Sequence, residues 1–373
     1  MACAAAEIFL RFYRPQPLEA AILWPDGTLR HIPSFSFRYT RRGFSNRVSF
    51  NALGLRGPEV APEKRAGVPR ILFLGDSFVE GKQVADDEVL SAVMERLAAG
   101  AGHPVEVINA GVDGYGTGEE VILWRELAGD LRPDIVLLGF YPNDVRDNVD
   151  GDVVVDDPGE PIRVRKPKVK RLSLAYRARK LLASRSHFYM LAKLGMEELA
   201  GAEEEPRRPD PNQEAYRDTG ASRPLEAEEV FAKRKIPAVA RGWTMALALI
   251  ADLKRGVEAS GGRFAVVMFP TRFQVDDALW DEHCSKSGFD PARFDLRRPQ
   301  AIFGDWTKRF DVVVLDLLAE FRARNSRNSF YHDVEAHFNP AGHALAAQLI
   351  VDHLLESGLL VSGNPENPPD SRR

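Results

Sequence analysis

Arg70-Ile71-Leu72-Phe73-Leu74-Gly75-Asp76-Ser77-Phe78 is the run from which the rest of the chain can be read. Ile71 to Leu74 is a short apolar stretch with the length and composition of a strand buried on both faces, and it stops at a glycine. After the turn, Val89, Leu90, Val93, Met94 and Leu97 recur at helical spacing within 86–99. The alternation then continues. Residues 105–108, 134–139, 263–269 and 312–316 read as strands, and 117–130, 240–259 and 340–356 read as helices. Strands separated by helical stretches need crossover connections. The pattern therefore predicts an α/β fold with a mostly parallel sheet covered on both faces.

Two regions depart from this rhythm. In residues 20–50, a turn at Pro25-Asp26-Gly27 follows Leu23-Trp24, and Phe35-Ser36-Phe37-Arg38-Tyr39-Thr40 alternates with period two, so short strands are expected. Residues 55–69 are charged and proline-rich and read as a loop. The second region, 151–235, opens acidic, turns basic over 163–171 and carries a helical piece around 174–199. It then runs through a Glu/Pro/Arg-rich stretch at 203–224 whose composition opposes fixed structure. The expected organisation is a β-containing flank at 1–68, a core at 69–150 and 236–360, a helical, charged insertion at 151–235 and a loose tail at 361–373. The insertion follows directly on the third strand's loop, a position from which it can act as a lid over a substrate entrance. Its basic run can face an anionic polysaccharide or lipid head groups, or be a solvated face balanced by the acidic run before it.

The chain has 373 residues, of which 44% are hydrophobic, and a net charge of −4. That permits a sizeable core, rules out a wholly disordered chain and leaves no global basic footprint for nucleic acid. Two cysteines, Cys3 and Cys284, make neither a disulfide scaffold nor a zinc spacing. No apolar run approaches the roughly 20 residues of a membrane span. Residues 1–9 are small and apolar, with Arg11, Tyr13 and Arg14 close behind. They read either as the end of a membrane anchor, with the protein then outside the cytoplasm, or as an ordinary first helix packed on the body.

Four segments carry candidate chemistry. Ser77 stands at the carboxyl end of the first core strand, where ligands of open α/β sheets bind, and free backbone N–H groups beside it can hold a developing oxyanion. A P-loop reading overlaps it, since Gly75 to Lys82 spells G-x-x-x-x-G-K. The next residue is Gln83 rather than Ser or Thr, and Asp76 and Glu80 would repel phosphate. The second segment is Asn109-Ala110-Gly111-Val112-Asp113-Gly114-Tyr115-Gly116, whose glycines let a backbone N–H approach a ligand. The third is Gly139-Phe140-Tyr141-Pro142-Asn143-Asp144, in which the Asn143 amide is an uncharged double donor. Taken singly, each also suits an ordinary turn.

The fourth segment is Tyr331-His332-Asp333-Val334-Glu335-Ala336-His337-Phe338-Asn339-Pro340. Asn339 suits a helix N-cap and Pro340 the first helical position. His337 then lies just before the positive end of a helix dipole, which favours a neutral imidazole able to act as a base. Asp333 or Glu335 can orient its ring. The same His332, Asp333, Glu335 and His337 admit a metal reading, but they lack a helical i, i+4 histidine pair and a remote third ligand. His343, on the helix, reads as a packed residue.

Taken together and in this order, the four segments resemble the SGNH (GDSL-type) serine hydrolase family. Ser77 matches its nucleophile block, Gly114 and Asn143 its second and third blocks, and His337 its last block with the Asn-Pro-x-Gly-His continuation. The resemblance covers 70–150 well and about 240–356 more thinly. Residues 51–57, Asn-Ala-Leu-Gly-Leu-Arg-Gly, look like members that carry an extra N-terminal segment. Two features depart from the family pattern. The usual acid position, three before the histidine, is Val334, so Glu335, two before as in polysaccharide O-acetyltransferase-like relatives, is favoured over Asp333. Two extra residues also separate Gly139 from Asn143.

The resemblance implies a three-layer, flavodoxin-like α/β/α fold and acyl transfer through a serine ester. Ser77 would be the nucleophile, His337 the base and Glu335 or Asp333 the acid. Ser77, Gly114 and Asn143 would form the oxyanion hole. Neither a cofactor nor a metal is required. The expected substrate is a small acyl, acetyl-like ester, either a small molecule or a carbohydrate. An O-acyltransferase with the same triad and a non-catalytic carbohydrate-binding protein on the same fold are the alternatives.

Overall fold

The computed structural model describes residues 2–13, 16, 18–23, 28–150, 153–154, 163–164, 174–199, 227–326, 329–333 and 336–360. The turn expected at 25–27, the stretch 203–224 and the tail 361–373 lie outside these residues. The strands are β1 (Ala21–Leu23), β2 (Leu29–His31), β3 (Phe35–Arg41), β4 (Phe44–Phe50), β5 (Arg70–Gly75), β6 (Glu106–Gly111), β7 (Ile135–Phe140), β8 (Val153–Val154), β9 (Arg163–Val164), β10 (Arg263–Met268) and β11 (Val313–Asp316). The helices are α1 (Ala2–Tyr13), α2 (Ser77–Glu80), α3 (Leu90–Gly100), α4 (Thr117–Leu131), α5 (Asp144–Asp150), α6 (Leu174–Arg185) and α7 (His187–Leu199). They continue with α8 (Pro237–Ala259), α9 (Arg272–Val275), α10 (Asp277–Ser287), α11 (Arg298–Thr307), α12 (Leu318–Arg324) and α13 (Pro340–Glu356).

The central sheet runs β6-β5-β7-β10-β11, and every neighbouring pair is parallel. Counted from β5, this is the doubly wound order 2-1-3-4-5, with its switch point between β5 and β7. All six residues of β5 and of β7 are buried, as expected of strands covered on both faces. Pleating divides their side chains. Leu72, Leu74, Val136 and Leu138 pack with Trp124 of α4 and Trp243 and Leu249 of α8. Ile71, Phe73, Ile135 and Leu137 pack with Met94 of α3 and Ile350 of α13. These two cores separate the three layers.

A row of glycines sets where α2 can sit. Gly75 pairs with Gly111 on one side and Gly139 on the other, at the carboxyl ends of three adjacent strands. A Cβ on Gly111 would fall 2.1 Å from the Glu80 backbone nitrogen, and one on Gly75 or Gly139 would meet the Val79 side chain at 2.3 or 2.6 Å. The bare edge lets the turn that begins at Ser77 nest directly on the sheet.

β3 and β4 form an antiparallel hairpin, with Phe37, Tyr39, Val48 and Phe50 making a small core of their own. The bridge between Arg56 and Asn109 links this flank to β6. The helical piece of the insertion is two helices, α6 and α7. Glu7 of α1 accepts from the backbone N–H groups of His187 and Phe188, capping α7. Glu19 donates its N–H to Ala183 O, and its carboxylate takes Lys193 at 2.8 Å. Among the described residues, no hydrogen bond joins α6 or α7 to the Ser77 or Asn143 loops, and no helix is long and apolar enough to cross a membrane.

Candidate active site

Asp76 caps α2 by accepting from Phe78 N–H at 2.9 Å, which leaves Ser77 as the first helical residue, 5% exposed at the sheet's carboxyl edge. His337 arrives from the far end of the chain, 260 residues later. The tight loop that carries it is closed by its own backbone. His332 donates to His337 O at 3.0 Å, Asn339 donates to Phe330 O at 3.0 Å, and Tyr331 bridges Phe338. The Asn339 side chain accepts from Gly342 N–H, giving the expected cap with Pro340 as the first residue of α13. Phe338 is fully buried, edge-on to Phe78 at 5.0 Å, and anchors the loop over α2. The result is His337 Nε2 at 2.8 Å from Ser77 Oγ, with the Phe78 ring 5.2 Å away.

One carboxyl group, of Glu335 or of Asp333, was expected beside His337. Asp333 is exposed and makes no hydrogen bond to His337 among the described residues, and Glu335 lies outside them. The His332 ring lies tilted against Phe44 of the β3–β4 hairpin, with the centroids 4.5 Å apart. Among the described residues, no group of three or more His, Cys, Asp or Glu side chains is placed to hold a metal ion.

Gly114 sits in the loop after β6 at φ +81°, a conformation that suits glycine, with open space on its outer side. Asn143 opens the turn into α5: its backbone oxygen accepts from Arg146 and Asp147, and its side-chain amide donates to Asp147 Oδ2 at 3.0 Å. Tyr141 from the same loop stacks on Phe78 at 4.0 Å. Ser77 and Asn143 thus follow β5 and β7, at the switch point, and Gly114 follows β6 beside them.

The charges around α2 are polarised. Burial pushes the Asp76 carboxyl up to about 7, although the Phe78 N–H and nearby His337 and Asn143 pull it down. Glu120 and Asp144 are both fully buried and raised well above the carboxylate range, first by burial; Asp76, Glu119 and Asp147 add to it at Glu120, and Glu120, Asp76 and Asp147 at Asp144. Glu80, at the other end of α2, goes the opposite way. Burial would raise it, but Lys82, His31 and Arg56 outweigh burial and bring it down to about 2. Lys82 is held by Asp113 and lies over the Tyr39 ring, so the lysine of the P-loop-like run is already engaged by protein groups. His343 is 1% exposed beneath Gly81, and burial lowers it to about 3.

Sequence reasoning passed over Glu80, His31, Arg56, Tyr115, Glu120 and Asp144. Glu80 had left a trace, as a carboxylate where a phosphate loop cannot have one. The others became visible only with the fold.

No family model matches the chain, and no curated protein matches it. Solved structures it is similar to include lipases and esterases. They include a lipase/acylhydrolase from Enterococcus faecalis, 15% identical, with 78% of this chain and 97% of that one covered at a TM-score of 0.39. A lipolytic protein of the G-D-S-L family from Desulfitobacterium hafniense is 11% identical over 76% and 98% of the two chains, TM-score 0.35. The acetyl-xylooligosaccharide esterase Axe2 from Geobacillus is 13% identical over 78% and 95%, TM-score 0.40.

Proposed function

We propose that the chain is a serine esterase acting on small acyl esters. The observation that carries this reading is the 2.8 Å contact between His337 Nε2 and Ser77 Oγ at the sheet's switch point. Ser77 Oγ attacks the ester carbonyl carbon as its proton passes to His337 Nε2. The carbonyl oxygen takes the negative charge and is met by the Ser77 and Gly114 N–H groups and the Asn143 amide. Collapse of the tetrahedral intermediate breaks the C–O bond of the leaving alcohol, which takes the proton from His337. Water, deprotonated by His337, then attacks the serine ester and releases the acid. A carboxylate of the 333–335 segment orients the His337 ring.

The test is turnover of p-nitrophenyl esters from acetate to longer chains by wild type and Ser77→Ala. The wild type should be active, most strongly on the short esters, and the mutant should lose nearly all turnover at an unchanged melting temperature. Asn143→Ala should lower kcat by roughly a hundredfold. Equal turnover in Ser77→Ala would end the serine-ester reading. Acyl transfer to a sugar in place of release to water would mark an acyltransferase instead.

A further inference from the structure

The loop that bears Gly114 is held from both sides by the N-terminal flank and by Glu80. Before Gly114, Asp113 N–H donates to Glu80 Oε2 at 2.8 Å, and the Asp113 carboxylate takes Lys82. After it, the Tyr115 hydroxyl, on a residue 2% exposed, donates to Leu29 O of β2 at 2.6 Å. The other oxygen of Glu80 lies 3.2 Å from His31 Nε2, also on β2. His31 Nδ1 lies 3.2 Å from Gly54 O, so each ring nitrogen faces an oxygen. The ring is stacked on Phe50 at 3.8 Å, which fixes its direction. Arg56, also from the flank, donates to Glu80 O and Val84 O, both at 2.7 Å, and so holds the backbone that presents Glu80.

We propose that β2 is a working part of the acyl-transfer site, with Glu80 and Tyr115 as positioning residues that hold the Gly114 N–H where the oxyanion forms. The inference rests on the esterase reading and gives the flank a task in it. An open glycine at positive φ has no side chain to fix its amide, so the direction of its N–H depends on its neighbours' anchors. Here those anchors are a carboxylate on the nucleophile's own turn and a carbonyl of β2. The nucleophile and the second donor loop are thereby referred to one strand.

The experiment combines hydrogen exchange of the 111–118 peptide with ester kinetics, for wild type, Tyr115→Phe, Glu80→Ala and Glu80→Gln. Tyr115→Phe and Glu80→Ala should exchange this peptide roughly tenfold faster while β7 and α8 keep wild-type rates. Their kcat should fall roughly tenfold or more, with KM held within about twofold. Glu80→Gln should stay near wild type, because its amide oxygen accepts from Asp113 and its NH2 donates to the His31 ring. Unchanged exchange in both loosening variants would overturn the proposal, and so would faster exchange at unchanged kcat. If Glu80→Ala does not fold, Tyr115→Phe alone decides. A wild type without turnover whose loop still loosens as expected would defeat the esterase reading but leave β2 as the loop's anchor. Normal turnover with an unmoved loop would defeat the anchor alone.

Discussion

Glu80 and Asp76 stand at the two ends of α2, equally hidden from solvent at 2% and 0% exposure, yet their acidities are shifted in opposite directions. Glu80 is surrounded by Lys82, His31 and Arg56 and stays ionised down to about pH 2. Asp76 belongs to the opposite cluster. The charges acting on Glu120 there are Asp76, Glu119 and Asp147, all of its own sign, and Glu120 accepts no hydrogen bond among the described residues. Burial imposes a similar penalty on both sides, and the partners decide whether it is met by pairing or by a retained proton. The serine turn therefore has a charged, cross-linked side toward the N-terminal flank and, toward α4 and α5, a side where burial pushes the Asp76, Glu120 and Asp144 carboxyl groups toward their protonated form.

The contrast breaks most forcefully at Arg56. Arg56→Leu leaves the Glu80 and Val84 carbonyls without their donor and takes a cation from Glu80, and it should cost roughly 3–5 kcal/mol in urea unfolding. A loss under about 1 kcal/mol would mean that the pairing is not what holds this side. Next comes acid titration. Because the folded Glu80 carboxyl is depressed, its stabilisation is complete above its ordinary value of 4.5 and fades as pH falls through about 2. The wild type should lose roughly 3 kcal/mol from this group across that window, and Glu80→Gln should not show the loss. The third effect has the opposite sign. Glu120 is raised on folding, so it costs nothing while protonated in both states and destabilises increasingly as pH climbs above its unfolded value. Glu120→Gln should therefore gain on wild type between pH 5 and pH 8, read as a rising difference in urea midpoint. A difference that falls with pH would show that Glu120 is ionised in the native protein.

Much of the scaffold was legible residue by residue. Ile71 to Leu74 and Ile135 to Leu138 are apolar throughout because both faces of β5 and β7 are covered. Asn339-Pro340 marked the start of α13 because a side-chain acceptor and a fixed φ are what a helix start requires. Ser77, Gly114, Asn143 and His337 were each visible at the end of an element. The meeting of Ser77 and His337, 260 residues apart, depends on how α13 packs behind β5. The row Gly75, Gly111 and Gly139 is likewise a fact of strand register, invisible along the chain because its members are 36 and 28 residues apart. The insertion was read as one helical piece, and the break at Ser186 appears once Glu7 reaches across from α1 to cap α7.

Local chemistry thus specified the elements and the residue types at their ends: apolar runs make strands, caps start helices and glycines end strands, each within a few residues. What folding added was pairing between distant segments. Two buried carboxyl groups had their acidities shifted in opposite directions, a three-residue strand near the N-terminus came to anchor a loop beyond residue 110, and a histidine found its serine. Electrostatic and hydrogen-bond energies depend on separation and on excluded water, and neither is defined until the chain has closed on itself.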